Sequence, residues 1–142
     1  MPVTPVDLVP QSHARKLRLA TEVVLAYVRV RFTMRTNEPA EAVSRLRAYA
    51  RRHPLAADRE TEVLAGWRLA QAVIKALRAL PTDSRCLMRS LTLLTLMERR
   101  GLSPTLVIAV RPTPFAAHAW IELHGQALLP PCDPGFERIT EL

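Results

Sequence analysis

The sequence predicts an α+β fold, with helices filling the first two thirds and a small antiparallel sheet closing the C-terminus. Three observations carry this. Apolar residues recur at helical spacing through most of residues 12–100, a β-branched and aliphatic run follows at 105–110, and His124-Gly125 makes a tight turn between two further apolar runs. With 142 residues the chain fits a single domain, 1–142, able to bury a core without disulfides or metals. Within it, residues 1–80 form a helical half and 81–142 a half that carries the chemistry.

Each element has a local reason. Residues 1–10 hold three prolines and little periodicity, and read as an extended lead-in. Over 12–34, Leu17, Ala20, Val24, Tyr27 and Val28 recur every three or four residues, which predicts an amphipathic helix; the alternation of apolar and basic residues over 28–32 leaves a strand open there. Asn37 and Pro39 start a second helix, whose apolar face is Ala42, Val43, Leu46 and Tyr49, and His53-Pro54 ends it. A third is predicted over 58–79, capped by Asp58, with Val63, Leu64, Trp67, Ala70, Ile74 and Leu77 as its buried stripe.

Pro81 separates that helix from a fourth, capped by Thr82, Asp83 or Ser84 and apolar around much of its circumference through Leu87, Met88, Leu91, Leu93, Leu94, Leu96 and Met97. Such a helix belongs at the centre of the molecule. Gly101 closes it after a basic last turn. Strands are then expected at 105–110, 116–123 and 126–129.

Composition narrows the function. Hydrophobic residues make up 49% and charged residues 23%, which is globular rather than disordered. The net charge of +7 and a pI near 10.7 attract something acidic. Nucleic acid is not the expected partner, because the arginines scatter along helices, aromatics reach only 5%, and no aromatic or glycine-rich RNA-binding signature is present. Residues 1–10 lack a basic segment followed by an apolar one, so a cytoplasmic location and reduced cysteines are expected. The apolar stretch 19–30 is short and interrupted by Glu22 and Arg29, so no membrane span is expected.

Chemistry concentrates in two places. Cys86 falls in the first turn of the fourth helix, where the partial positive charge of the helix N-terminus, with Arg85 and Arg89, favours the thiolate. The backbone N–H groups there, that of Cys86 included, can stabilise an oxyanion. His118 lies on the following strand system in His118-Ala119-Trp120-Ile121-Glu122 and can act as base and then acid. A lone cysteine is more often a small core residue, and a lone strand histidine a satisfied polar one; the pairing of first-turn thiol with downstream imidazole is what points to catalysis. His13, His53 and His124 are less suited, by position, to serve as the base. Asp133 is the aspartate that follows His118 and is the candidate to orient its ring, against an ordinary Asp-Pro turn; Glu122, on the same strand face as His118, is the fallback. Cys86, His118, His124 and Cys132 offer soft ligands for zinc, but no ligand spacing organises them. No phosphate-binding glycine loop is present, and no cofactor is expected.

At these residues the sequence resembles the transglutaminase-like B proteins of lasso-peptide biosynthesis, in the stand-alone form without a fused recognition domain. The resemblance rests on Ser84-Arg85-Cys86-Leu87-Met88-Arg89-Ser90-Leu91, on Arg99-Arg100-Gly101, on Leu106-Val107-Ile108-Ala109-Val110-Arg111 and on Pro114-Phe115-Ala116-Ala117-His118-Ala119-Trp120-Ile121-Glu122. It implies a papain/transglutaminase-like fold and a cysteine peptidase that removes the leader from a ribosomally made precursor peptide, with Cys86 as nucleophile and His118 as base. The family's third residue is an aspartate about a dozen residues past the histidine. Pro130 stands at that place here, and Asp133 follows slightly later. The resemblance also implies partners: the precursor peptide, a separate leader-recognition protein, and an ATP-using cyclase acting on the released core. A non-catalytic binding module of the same fold, or a Cys–His acyl transferase, are the alternative readings.

Overall fold

The computed structural model describes residues 13–50, 58–78, 85–113, 115–128 and 136–142. Four helices precede four strands: α1 (His13–Thr36), α2 (Pro39–Ala50), α3 (Arg59–Leu77), α4 (Arg85–Arg99), β1 (Thr105–Pro112), β2 (Phe115–Leu123), β3 (Gln126–Ala127) and β4 (Glu137–Glu141). The strands form one antiparallel sheet in the order β3-β2-β1-β4.

The predicted centrality of α4 is observed: Leu91, Leu93, Leu94, Leu96 and Met97 are fully buried, and α1, α2, α3 and the sheet all pack against this helix. Three hydroxyls are buried on it as well. Thr92 and Thr95 return theirs to the carbonyls of Met88 and Leu91, one turn back, so neither leaves an orphaned polar atom in the core. The helix ends in a Schellman motif, with Leu102 N–H donating to Met97 C=O at 3.0 Å and Gly101 N–H to Glu98 C=O at 3.1 Å. Gly101 takes the positive φ of 79° that this closure requires, and the buried Leu102 seals it.

Asp58 caps α3 as expected, its carboxylate accepting from Thr61 N–H at 2.8 Å. The stripe predicted for α3 is rotated, however. Gly66, Leu69, Ala70, Val73 and Leu77 face the core, while Leu64 and Trp67 are exposed. The reason is at Gly66, where a Cβ would lie 2.8 Å from Leu128 Cδ1 and 3.2 Å from Met97 Cε. α3 presses its glycine onto α4 and the hairpin, which turns the larger side chains outward. A pattern that counts only large apolar residues misreads such a helix.

Two similar corrections apply to α1 and α2. α1 is helical through 28–32, with Val23, Ala26, Tyr27 and Val30 inward, so Leu17, Val24 and Val28 lie outside the core. On α2, Ala42, Val43 and Leu46 are buried as expected, but Ala50 takes the inward position and Tyr49 is exposed beneath Arg29, whose Cζ sits 3.5 Å from the ring centre. The end of that helix at His53-Pro54 and the cap of α4 lie outside the described residues.

In the sheet, β1 and β2 pair from Thr105↔Glu122 to Pro112↔Phe115. His124 and Gly125 both have positive φ, 51° and 78°, the geometry of a two-residue type I′ hairpin turn into β3. β3 is shorter than the expected 126–129. β4 was not expected from the sequence, and it lies along the free edge of β1.

Candidate functional site

Side chains alternate across β2, which divides its residues between two surroundings. Ala119, Ile121 and Leu123 join the helical core. His118, Trp120 and Glu122 take the other face, where Trp120 packs with Val107, Ala109 and Phe136. The register sets His118 opposite Ala109, so a methyl group stands where a larger neighbour would crowd the ring.

The His118 ring lies between two aromatics. Its centroid is 5.9 Å from that of Trp120, with the planes 27° apart, and 5.8 Å from that of Phe136. This burial pushes the imidazole below its ordinary pKa of 6.5. Its Nε2 is enclosed and has no hydrogen-bond partner among the described residues. A buried ring nitrogen of that kind is uncommon in a folded protein, where nearly every enclosed polar atom is bonded.

Cys86 occupies the first turn of α4 and is half-buried. The link between its helix and β2 is made by Ser90, fully buried, whose hydroxyl donates to the Ala119 carbonyl at 3.1 Å. Two residues along the same strand edge, the Ile121 carbonyl accepts from Leu128 N–H at 2.8 Å as the chain leaves β3. Where β3 runs out, Ser90 takes over the next carbonyl of that edge. Cys86 precedes Ser90 by one helical turn, about 6 Å along the axis, on the same helix face. The fold therefore anchors the turn after Cys86 to the strand residue that follows His118, with Ala119 on the α4 side of the sheet and His118 on the other. Among the described residues no hydrogen bond joins the two groups, and Nε2 has no partner.

Glu122, the fallback orienter, is otherwise engaged. Its buried carboxylate accepts from Arg138 of β4 at 2.9 Å, and Arg138 also reaches Glu141 at 2.9 Å. His124 pairs with Glu62 of α3, tying the hairpin turn to that helix. His13 is exposed at the start of α1. Asp133 and Cys132 lie outside the described residues, as does His53. Among the described residues no three His, Cys, Asp or Glu side chains converge on a metal position.

A groove of about 650 Å³ opens between α3 and the hairpin, lined by Val63, Leu64, Trp67, His124 and Leu128 among others. Neither Cys86 nor His118 lines it, so the two candidate reacting groups lie elsewhere.

Two residues of this site were missed in the sequence. Ser90 stands one turn after Cys86 on an apolar helix, but Thr92 and Thr95 share that helix, so the sequence did not single it out. Phe136 gave no periodic signal, being a single aromatic ahead of a short charged strand.

A family model described as the transglutaminase-like superfamily matches residues 24–140, and the chain belongs to that superfamily. Its members include cysteine peptidases and acyltransferases. The match spans both the helical half and the half that carries Cys86 and His118. No curated protein and no solved structure matches the chain. Among the described residues no helix is long and apolar enough to cross a membrane.

Proposed function

We propose that this chain is a cysteine peptidase that removes the leader from a ribosomally synthesised lasso precursor peptide, with Cys86 as nucleophile and His118 as general base and acid. The observation that carries the reading is the enclosed, unbonded Nε2 of His118, on a strand whose next carbonyl is held by the helix of Cys86. An imidazole that only filled space would have its nitrogens bonded or wet.

The chemistry follows from the groups. Burial keeps His118 neutral near pH 7, so the ring is ready to take a proton. We assign the orienting role to Asp133, which would supply the acceptor that Nε2–H lacks and leave Nδ1 to receive the thiol proton. The reading requires substrate binding to bring thiol and ring together, since catalytic hydrogen bonds are often completed only in the loaded enzyme. The Cys86 sulfur attacks the carbonyl carbon at the leader–core junction, and the oxyanion gathers against the N–H groups of the first turn of α4. The imidazolium then gives its proton to the amine of the departing core, leaving the leader as a thioester. Water attacks the thioester, losing a proton to His118, and the free leader carboxylate and the thiol are restored. The expected partners are the precursor, a separate leader-recognition protein and a downstream ATP-using cyclase.

Cleavage of a cognate precursor, supplied with its recognition protein, tests this directly. Cys86→Ala and His118→Ala should each lower turnover by about 10³-fold or more with the fold intact, and Asp133→Asn by less. Ordinary turnover in either of the first two variants overturns the reading. A catalytically inert module of the same fold is separated by covalent labelling: an electrophilic analogue of the precursor should form an adduct with a nucleophilic Cys86 and none with an inert one. Product mass separates hydrolysis from acyl transfer to an amine.

A further inference from the structure

α1 has two apolar faces, and the fold uses only one. The inward face is Val23, Ala26, Tyr27 and Val30. At 3.6 residues per turn, Leu17, Val24, Leu25, Val28 and Phe32 fall within an arc of about 100° on the opposite side. All five are exposed, Phe32 at 71%, Leu17 at 69% and Leu25 at 63%. The stripe runs about 22 Å along the helix. Scattered exposed apolar residues are ordinary, but five large ones aligned on one helix face are not.

Cations border the stripe. Arg18 and Arg29 flank one side, Arg31 the other, and Arg35 stands at its C-terminal end. The helix carries a single acidic residue, Glu22, and both its oxygens accept from Arg100 at 3.0 Å, so no free negative charge opposes an anion here. Two of these guanidinium groups are held by tyrosines. That of Arg31 donates to the hydroxyl of the buried Tyr27 at 3.4 Å, and that of Arg29 lies over Tyr49.

We propose that the outward face of α1 is a docking surface for an anionic lipid bilayer, on which the protein rests peripherally with the helix in the plane of the interface. The depth order matches that environment. Apolar tips reach furthest out toward the acyl boundary, while the arginines and the half-exposed Tyr49 stand at headgroup level. Each basic side chain near an anionic surface adds to the attraction. A second copy of the chain is a poor occupant, because pairing two such faces opposes their arginine rows. The proposal is independent of the peptidase reading, since neither Cys86 nor His118 takes part.

Co-sedimentation of the whole chain with phosphatidylcholine vesicles carrying about 30% phosphatidylglycerol provides the test. Binding is expected to these vesicles, not to pure phosphatidylcholine, and to weaken with salt. Leu25→Ser with Phe32→Ser should weaken it about tenfold or more. Both sites are exposed, so the far-ultraviolet circular dichroism and Tm should be unchanged. Three results overturn the proposal: no binding to the anionic vesicles; binding that the double substitution leaves unchanged, which would reflect net charge alone; or a dimer in the absence of lipid that the same substitutions dissolve. Loss of precursor cleavage in the double variant with vesicle binding intact would assign the face to a protein partner and overturn it as well.

Discussion

The two faces of β2 are built from neighbouring residues and obey different demands. On the inward face Ala119, Ile121 and Leu123 are sealed against α4, and each is interchangeable in kind with any apolar group of its size. On the outward face His118, Trp120 and Glu122 form a thin layer covered by Phe136 and Arg138 of β4. One face secures the fold and the other half-buries an imidazole whose Nε2 has no partner among the described residues. The lesson is that a strand of nine residues can separate stability from chemistry by alternation alone, provided something small and local covers the second face. Here that cover is two side chains, Phe136 just before β4 and Arg138 on it.

The largest effect that would sharpen this contrast is expected at the inward face. Ile121 is fully buried, and Ile121→Ala should cost about 2–5 kcal/mol in urea-induced unfolding. Phe136→Ala on the outward face should cost clearly less, since Phe136 is only partly buried. Equal losses would break the division of labour between the faces.

A smaller effect is expected where the faces meet the helix. Ser90→Ala removes the hydroxyl that satisfies the Ala119 carbonyl and leaves that oxygen buried without its partner, at a cost of about 1–3 kcal/mol. In the proposed peptidase it should also reduce turnover, because the same bond sets the first turn of α4 against the strand of His118. A Ser90→Ala variant that loses stability but retains full turnover would show that the bond is purely structural. Below this lies the cap of α3: Asp58→Ala should cost less than Ser90→Ala and leave turnover unchanged, since the start of α3 meets the sheet at the hairpin turn, through Glu62 and His124, and not at His118.

How much of this was legible in the sequence depends on which force fixed each element. The centrality of α4, the Gly101 closure, the Asp58 cap and the His124-Gly125 turn were readable because each is set by residues adjacent in the chain. The stripes of α1 and α3 were misplaced because tertiary contact decided them: Gly66 is pulled inward by Leu128 and Met97, and Trp67 is turned out. β4 escaped because Glu137, Arg138 and Glu141 make it look like a solvated tail, although its pairing with β1 comes from backbone groups that carry no sequence signature. At the site, Cys86 and His118 were singled out as candidates from helix position and strand context. The burial of the ring between Trp120 and Phe136 depends on a residue pair far apart in sequence, and Asp133 lies outside the described residues.

The smallest expected effect is a tilt with pH, and it reports on the outward face alone. Burial holds the His118 pKa below 6.5 in the fold, whereas the unfolded chain takes up its proton near that value. Below pH 6.5 the unfolded state therefore binds more protons than the native one, and stability falls as pH drops toward the folded pKa; above 6.5 the contribution is fully present. Comparing unfolding free energies of the wild type and His118→Gln between about pH 7 and about pH 5 should show the shallower acid slope in the variant. Phe136→Ala should act in the same direction by a different route, because opening one side of the ring to water returns its pKa toward 6.5 while the imidazole remains. An NMR titration of the His118 ring in the wild type and in Phe136→Ala reads the second route directly. A ring that titrates at its ordinary value with Phe136 in place would mean that the aromatic cover does not keep the imidazole dry, and the contrast between the two faces would then rest on packing alone.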